Sequence, residues 1–348
     1  MKIIIDVMSG DKAPLEMLRG VDFAAKQEYS DGVEYILVGD ENVIKTVSAE
    51  QDIDVSRYEI VHTDMVLTME DEPLSVLKEK KNSSLGLSLQ MLAKGEGDAL
   101  VSAGNTGALF SGSSLIVKRV PGIQRAGIGA FLPMANPVML IDSGASVKPN
   151  EDYMVGFAVM GKAYMKALYG VENPRVGLLN NGTEEHKGTE LQQAAFVKLK
   201  ECKLINFIGN VEGNSMVLGG CDVAVTDGFT GNVSLKCIEG MGKLLSGELK
   251  GMFKGLGGII AYVMLKKKLK AFKKRFDAKE QGGAPILGLR KMIVKAHGSS
   301  DAKSFSSSIR QAVNCVKLGV VDIIAAEAEK LQAEKKATES QAAEISAE

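Results

Sequence analysis

Short, strongly apolar runs alternate along the chain with segments in which apolar residues recur at helical spacing. Runs rich in Val and Ile that lead into a helical pattern are typical of βαβ units, which build a mostly parallel sheet. Six such runs, each with the polar residues that follow it, are KIIIDVMSGDKAP, DALVSAGNTG, VMLIDSGAS, RVGLLNNGTEE, DVAVTDGFTGN and MIVKAHGSSDA. The pattern predicts an α/β fold with a mostly parallel, doubly wound sheet.

The polar stretches after these six runs are rich in Gly, Ser, Thr, Asn and Asp. Ligands of open α/β sheets bind beyond the carboxyl ends of the strands, so we expect the six loops to face one cleft. Glycine-rich loops and helix N-termini present backbone N–H groups to anions, which makes phosphate the predicted ligand. The alternative for each loop is that its polar residues only cap the following helix.

Nucleotide-binding motifs are missing from the chain. It has no GxxxxGKS or GxxxxGKT sequence, and no GxGxxG follows its first strand. These motifs hold nucleoside triphosphates and dinucleotides through their phosphates. The predicted ligand is therefore free phosphate or a small phosphate-bearing molecule, and no cofactor is expected.

Composition suits an ordinary globular protein. Of the 348 residues 45% are hydrophobic, and the mean hydropathy is +0.04, which allows one large core or two modest ones. The four cysteines show no CxxC spacing and are expected to be reduced thiols in a cytosol. Asp6 comes too early for the apolar core of a signal peptide. No apolar run approaches the roughly 20 residues of a membrane-spanning helix.

Charge is unevenly distributed. The chain has a formal net charge of -1, yet Gly251–Phe276 holds eight Lys or Arg residues and no acid. Apolar residues in this region follow two stripes on different helical faces, one ending near Val263 and one beginning at Leu265. Since one straight helix does not serve both stripes, residues 231–276 are predicted to form a helical hairpin. Its first arm runs from about Gly231 to Lys254, its turn is GLGG, and its second arm runs from about Ile259 to Phe276.

The C-terminal segment from Ala325 to Glu348 consists mainly of Ala, Glu, Lys and Gln. Such a composition predicts a helix that frays into disorder. Residues 1–330 are therefore expected to form the α/β domain, and residues 331–348 a flexible tail.

Nine motifs, spread in order over nearly the whole chain, carry a resemblance to a known family. They are DVMSGDKAP, VSAGNTGAL, DSGASVKP, FAVMGKAYMK, NPRVGLLNNGTEEHKGTEL, FIGNVEG, DVAVTDGFTGNVSLKCIEG, GGAPILG and KAHGSSDA. With them the chain resembles the PlsX family of phosphate acyltransferases. DGFTGN and HGSSDA are the most specific of the nine.

The resemblance implies transfer of a fatty acyl group from acyl carrier protein to orthophosphate, giving acyl phosphate for bacterial phospholipid synthesis. It also implies a fold similar to isocitrate dehydrogenases and phosphotransacetylases. The family forms homodimers in which the helical hairpins pair and a hydrophobic tip touches the membrane. The implied partners are acyl carrier protein, an anionic membrane surface and a membrane glycerol-3-phosphate acyltransferase that takes the product. The protein is expected in the cytoplasm, associated with the inner face of the cell membrane.

Three segments depart from the family pattern. Val7-Met8-Ser9 stands where the family has Ala-Met-Gly, Ala126 replaces a proline after Arg125, and Asn180-Asn181-Gly182 replaces an Asn-Ile-Gly sequence. Ser9 adds a Cβ to a loop expected to meet substrate, where glycine lets the backbone approach closely.

Attack of phosphate on a thioester needs a held phosphate, donors for the oxyanion and a proton or cation for the leaving thiolate. Lys187 is predicted to clamp phosphate or stabilise the oxyanion, and the alternative is a solvated helix lysine. Asn232, at the start of a helix, is predicted to donate to phosphate or the oxyanion, and the alternative is a cap. His297 is predicted to act as a general acid–base, or to hydrogen-bond the leaving sulfur or the phosphate. The alternative for His297 is a structural role.

Phosphate and substrate are expected to be bound by polar and glycine residues of the same loops. These are Asp6, Gly10, Asp11, Ser102, Asn105, Thr106, Asp227, Thr230, Gly231, Ser299 and Ser300.

An acyl-enzyme on Cys237 is disfavoured because this thiol falls about two turns into a helix rather than in a loop. Direct attack by phosphate is preferred. His186 lies beside three glutamates, but such a group is more often a solvated helical face, so no metal is predicted. No nucleic acid is expected as a partner.

The hairpin tip is predicted to enter the headgroup boundary of an anionic membrane, with nearby cations meeting the lipids. The residues assigned to the tip are Leu256, Ile259, Ile260, Val263 and Met264. Two alternatives stay open: the apolar stripe packs inside a dimeric helical bundle, or the cations recruit acidic acyl carrier protein. For the protein as a whole, the alternatives are a phosphotransacetylase-like enzyme acting on a small acyl thioester and a non-catalytic scaffold of a lipid pathway.

Overall fold

The computed structural model of the chain describes residues 1–132, 134, 136–253, 255–276 and 282–345. Within this part, strands and helices alternate as the apolar runs predict. The strands are β1 Lys2–Asp6, β2 Glu34–Gly39, β3 Glu59–His62, β4 Ala99–Ser102, β5 Gly127–Leu132, β6 Val138–Ile141, β7 Arg175–Asn180, β8 Asn206–Glu212, β9 Val223–Val225, β10 Ala284–Leu287 and β11 Met292–Lys295. The helices are α1 Leu15–Ala25, α2 Glu41–Glu50, α3 Ser84–Lys94, α4 Thr106–Gly112, α5 Glu151–Tyr169, α6 Glu190–Glu201, α7 Gly213–Val217, α8 Gly228–Met252, α9 Gly255–Phe276, α10 Ala302–Lys317 and α11 Val320–Ile345.

The strands join into one sheet with the order β3-β2-β1-β4-β11-β10-β5-β6-β9-β7-β8. Most neighbours are parallel, and only the pairs β11–β10, β10–β5 and β5–β6 are antiparallel. Three successive reversals leave β6, β9 and β7 pointing opposite to β1, β4 and β11. The sheet is therefore mostly parallel, as predicted, but its two halves run in opposite directions.

This reversal corrects the expectation that six loops lie at one carboxyl edge. The loops after β1, β4 and β11 form a first group at one edge of the sheet, and those after β6, β9 and β7 form a second group at the other. Local sequence patterns specify strands, but they do not encode the direction of pairing between distant strands.

The two faces of the sheet are covered differently. One face carries a continuous apolar core that includes Ile5 of β1, Ile141 of β6 and Val294 of β11. The other carries two separate clusters, one over the half with β4 and one over the half with β9. Both clusters include residues of β5, so the division between them falls along this strand, and Leu235 and Ile238 of α8 pack on the second cluster.

Two long helices, α8 and α9, occupy the region of the predicted hairpin. Helix α8 ends at Met252 and α9 begins at Gly255, which has φ +80°, a conformation that costs glycine little. Gly257 and Gly258 lie inside α9, so the turn is shorter than the predicted GLGG. The rings of Phe253 and Tyr262 stack edge to face across the break, with centroids 5.7 Å apart.

The last helix, α11, continues to Ile345 and does not end at the predicted tail boundary of 330. Leu331 is buried, and the Glu334 carboxylate accepts a 2.8 Å hydrogen bond from the backbone N–H of Lys203. Lys335 forms a 2.9 Å ion pair with Asp152 of α5. The helix is therefore anchored at least as far as Lys335. Among the helices of the described residues, none is sufficiently long and apolar to span a bilayer.

Candidate active site

The first group of strand ends is organised around the buried carboxylate of Asp6. Its Oδ2 accepts hydrogen bonds from the Ser9 hydroxyl at 2.5 Å and the Ser102 hydroxyl at 2.7 Å. Burial raises the pKa of Asp6, and the hydroxyl donors partly oppose that rise. Asp6 and Ser102, both predicted to bind substrate, therefore bind each other and join the ends of β1 and β4.

Ser9, the departure from the family glycine, is also buried and contributes one of these donors. The close backbone approach occurs one residue later, at Gly10 with φ +111°. A Cβ on Gly10 would lie 3.0 Å from the Ala103 side chain and 3.2 Å from the Gly298 carbonyl oxygen. The N–H of Asp11 donates to the same carbonyl at 2.8 Å. The loops after β1 and β11 thus touch, and the Asp11 side chain stays exposed.

His297 lies two residues beyond the end of β11 and is exposed in this chain. Its Nδ1 accepts from the backbone N–H of Ser299 at 3.2 Å and lies 2.9 Å from the Ser299 hydroxyl. Because a backbone N–H can only donate, Nδ1 is the acceptor and the ring proton resides on Nε2. Partial desolvation of the ring lowers the pKa of His297, and the charges of Lys295, Lys236 and Lys243 lower it further, while Glu239 opposes them. The lowered pKa favours the neutral ring, which offers an Nε2–H donor.

Asn105 is committed to structure rather than to a ligand. Its side-chain oxygen caps α4 by accepting from the N–H of Ala108 at 3.1 Å, and its amide donates to the Met69 carbonyl at 3.1 Å. Thr106 begins α4, and the buried Ser300 donates its N–H to the His297 carbonyl at 3.0 Å. Of the polar residues predicted in these loops, Asn105 caps a helix with its side chain, as the capping alternative describes.

The second group is organised around Asp142, which is fully buried. Its carboxylate accepts hydrogen bonds at 2.6–3.1 Å from the backbone N–H groups of Ile128, Gly144, Ala145 and Ser146. Burial raises the pKa of Asp142, and the backbone N–H bonds lower it again. The amides of this loop therefore bind their own carboxylate, although the sequence pattern predicts them as donors to phosphate.

Asn232 lies at this loop. Its amide donates to the Ser143 carbonyl at 3.2 Å, and the residue is exposed on the first turn of α8. Asp227 caps α8 by accepting from the Thr230 N–H at 2.9 Å, and a Cβ on Gly231 would lie 2.0 Å from the Asp142 carbonyl oxygen. The DGFTGN motif thus begins α8 and packs its backbone tightly against the loop after β6.

Lys187 lies in the loop after β7, which belongs to the same group. Its carbonyl accepts from the Asn180 amide at 3.1 Å, and its side chain packs beside Gly182. Gln192, at the start of α6, donates to Asp227 at 3.4 Å and so links this loop to the start of α8. Within the described residues no direct contact joins Lys187, Asn232 and His297 to one another.

Two elements bring the two groups of strand ends together. Arg125 donates to the Ser146 hydroxyl at 2.8 Å while its guanidinium lies 5.1 Å from the centre of the Phe110 ring on α4. Helix α8 starts in the second group and carries Lys236 and Glu239 close enough to Lys295 and His297 to change their pKa values. The candidate active site is the region between the groups, where α8 passes the end of β11.

Sequence reasoning missed Lys295, Lys236, Arg125 and Asp142. The sequence does contain a signal for Lys295, because Lys295 and His297 are two residues apart at a strand end and so share a face of the sheet. Asp142 and Arg125 carry no local signature of their contacts. Cys237 is exposed on α8, and within the described residues no group of three or more His, Cys, Asp or Glu side chains is placed to hold a metal ion.

Solved structures define the class of this fold. A phosphotransacetylase from Streptococcus pyogenes superposes with a TM-score of 0.62 at 15% identity, over 91% of this chain and 94% of that one. EutD phosphotransacetylase from Staphylococcus aureus gives a TM-score of 0.58 at 16% identity, with the same coverage. The chain is thus an α/β protein of phosphotransacetylase-like fold, which confirms the predicted fold class.

Sequence comparison identifies the family within that class. The family described as Fatty acid synthesis protein matches residues 1–323. Phosphate acyltransferase from Acetivibrio thermocellus is 42% identical over 326 residues, covering 93% of this chain and 95% of that protein. Phosphate acyltransferase from Thermotoga neapolitana is 43% identical over 324 residues, covering 92% and 95%. The chain belongs to this family, the PlsX phosphate acyltransferases, and is an acyltransferase enzyme, which confirms the resemblance carried by the motifs.

Proposed function

We propose that this enzyme transfers a fatty acyl group from acyl-acyl carrier protein to orthophosphate, giving acyl phosphate for phospholipid synthesis. The observation that carries the proposal is the ring of His297, whose Nδ1 accepts from the Ser299 N–H and so leaves the proton on Nε2, at a strand end beside cationic residues of α8 and β11. A neutral donor next to cations suits a reaction that brings a phosphate anion and a thioester together. Family membership supplies the type of reaction.

The chemistry balances without an enzyme nucleophile. An oxygen of hydrogen phosphate bonds to the thioester carbonyl carbon, the carbon–sulfur bond breaks, and the phosphate proton passes to the thiolate. Because the ring proton is on Nε2, His297 serves better as a hydrogen-bond donor to the leaving sulfur than as a base. Asn232 is proposed to donate to the oxyanion, and Lys187 to balance charge on phosphate or the oxyanion.

A direct test mixes the pure protein with long-chain acyl-acyl carrier protein and orthophosphate, then traps the product with hydroxylamine. We expect acyl hydroxamate that forms only when phosphate is present. Equal release of carrier thiol without phosphate would identify a thioesterase and overturn the proposal.

A second candidate function is transfer from a small acyl thioester, and the phosphotransacetylase-like fold favours it. The two candidates differ in the length of the acyl chain. The same assay run with acetyl and long-chain donors separates them, because a small-thioester enzyme turns over the acetyl donor faster.

The exposed residues of α9 support a proposed membrane contact. Val263 and Met264 are 66% and 81% exposed, and Lys266, Lys267 and Lys268 follow on the exposed surface. An apolar tip beside cations suits the headgroup boundary of an anionic membrane, where each cation contributes on the order of 1 kcal/mol. The side chains of Leu256, Ile259 and Ile260, assigned to the same tip, lie outside the described residues.

Flotation with anionic and neutral vesicles tests this contact. We expect wild type to float with anionic vesicles, and the double variant Val263→Glu, Met264→Glu to lose binding while it keeps turnover of acyl-acyl carrier protein. A variant with Gln at 266, 267 and 268 should also lose binding. If this Gln variant floats normally but has a raised KM for the carrier, the cations serve the carrier protein instead.

A further inference from the structure

Lys295 is the last residue of β11, and His297 follows two residues later. Along this strand Met292, Val294 and Ala296 are buried in the continuous core on one face of the sheet. Side chains alternate across a strand, so Lys295 and His297 both belong to the opposite face. That face is the one whose apolar core is divided, and α8 lies on it.

The ammonium group of Lys295 is poorly compensated. Its only hydrogen bond within the described residues is to the Ala296 carbonyl at 3.2 Å, and no carboxylate of that part of the chain lies within ion-pair distance. Burial lowers the pKa of Lys295, and the charge of Lys236 lowers it further, while Asp11 and Glu239 oppose both effects. Lys295 is half-buried, and an ammonium group partly withdrawn from water without a paired anion is costly, so it is a candidate for binding an anion.

Helix α8 adds further positive charge on the same face. Lys236 is paired with Glu239 at 2.8 Å, whereas Lys243 has no ion-pair partner among the described residues. The charged groups that act on His297 are Lys295 from β11 and Lys236, Glu239 and Lys243 from α8. Three cations and one carboxylate leave this region with a net positive potential, which Asp11 of the neighbouring loop offsets only in part.

We propose that Lys295 and Lys236 form a phosphate-binding site that holds orthophosphate beside His297. This assignment rests on the proposed function, since orthophosphate is the attacking substrate there. The dianion supplies the counter-charge that Lys295 lacks, and both lysines donate charge-assisted hydrogen bonds to its oxygens. The Nε2–H of His297 is then placed next to the attacking group.

Binding of inorganic phosphate to the full-length protein, without any acyl donor, tests the site by calorimetry. We expect Lys295→Met to weaken phosphate binding by about tenfold or more, while Lys295→Arg retains most of it. Lys236→Met should weaken binding by a smaller factor, because Lys236 is exposed and shares its charge with Glu239. Lys45→Met, which removes an exposed cation on α2, outside the loops of the site, is the matched control and should bind as wild type.

The pKa of His297, measured by NMR, is a second test. Phosphate would not change this pKa through Lys295 if the lysine had only a structural role. The chain has three histidines, so His62→Gln and His186→Gln assign the His297 signal. Phosphate should raise the pKa of His297 in wild type and leave it nearly unchanged in Lys295→Met. Without phosphate, Lys295→Met should itself raise the pKa of His297, because one neighbouring cation has been removed.

The proposed site would be refuted if Lys295→Met bound phosphate with an affinity within twofold of wild type. It would also be refuted if phosphate left the pKa of His297 unchanged in the wild-type protein. If Lys295→Met fails to fold, Lys236→Met serves as the test, and a phosphate affinity of Lys236→Met equal to that of wild type would refute the site. The same calorimetry with 4′-phosphopantetheine tests whether the site binds the phosphate carried on the acyl donor instead of free orthophosphate. If Lys295→Met weakens the binding of 4′-phosphopantetheine but not that of orthophosphate, the assignment is overturned. Phosphate binding without acyl hydroxamate formation would refute only the proposed function, and hydroxamate formation with unchanged affinity in Lys295→Met would refute only this site.

Discussion

Asp6 and Asp142 show how buried carboxylates shape the loops around the candidate site without meeting solvent. Each accepts several hydrogen bonds from its own neighbourhood, Asp6 from hydroxyls and Asp142 from backbone N–H groups. Removing one partner of such a buried group leaves an unsatisfied charge or donor, which costs far more than the mean value of a hydrogen bond. The loop held by Asp142 presents the Ser143 carbonyl to the Asn232 amide, and the loop after Asp6 donates the Asp11 N–H to the Gly298 carbonyl.

His297 offers a test of donor against proton-transfer chemistry. We expect His297→Ala to lower turnover by about tenfold or more while the protein stays folded, the usual scale for a lost donor or acid–base group. His297→Gln, whose amide can still donate, should retain more activity than His297→Ala. Cys237→Ser is the control and should stay active, because direct attack by phosphate needs no thiol.

Steady-state kinetics of acyl hydroxamate formation, with circular dichroism to confirm folding, decide the matter. Activity of His297→Ala close to wild type would remove this residue from the mechanism. A folded but inactive Cys237→Ser would instead point to an acyl-enzyme. Equal loss in the Ala and Gln variants would favour proton transfer over hydrogen bonding.

At the level of elements, the sequence predicts strands better than it predicts their arrangement. The runs KIIID and RVGLLN become β1 and β7 almost residue for residue, because β-branched apolar runs between polar loops have few other solutions. The antiparallel strands β10 and β5 separate the two halves and reverse one of them. Which strands meet across the chain depends on tertiary packing, so the grouping of the six loops was predicted wrongly.

The candidate site shows the same limit. His297, Asn232 and the loops that carry them are visible in the sequence as polar residues at strand ends. The charge of Lys236 acts on Lys295 from α8, which lies on the divided face of the sheet, and nothing local in either segment signals this. Asn105, conversely, has the amide side chain expected of a ligand-binding residue, but it caps a helix.

Helix α11 gives a prediction at the element scale. Deleting Ala337–Glu348 should leave activity intact and the free energy of unfolding within about 0.5 kcal/mol of wild type, the usual range for surface changes. Truncation after Lys330 removes Leu331 from the core together with the contacts of Glu334 and Lys335, so we expect a loss of about 2–4 kcal/mol. Urea unfolding of both truncated proteins measures the difference. Equal stability of the two would show that the anchored turns contribute nothing.

Across the whole molecule, the largest apolar exposure on α8 lies on its distal half. Met241, Leu244 and Leu245 are each more than half exposed in the single chain. Neighbouring exposed apolar side chains of this size mark an interaction surface, and a second copy of the chain is the partner that the family resemblance implies. We therefore propose that the homodimer forms through this part of α8.

Sedimentation velocity at micromolar concentration tests this arrangement. We expect wild type to sediment as a dimer and the double variant Leu244→Lys, Leu245→Lys to sediment as a monomer, because two like-charged clusters would then face each other across the interface. The double variant Val263→Glu, Met264→Glu on α9 is the matched control, since it also places two charges on exposed apolar positions, and it should remain dimeric. If the α9 variant dissociates and the α8 variant does not, the interface lies on α9. Val263 and Met264 would then be buried between protomers, and the membrane contact proposed for them would lose its surface.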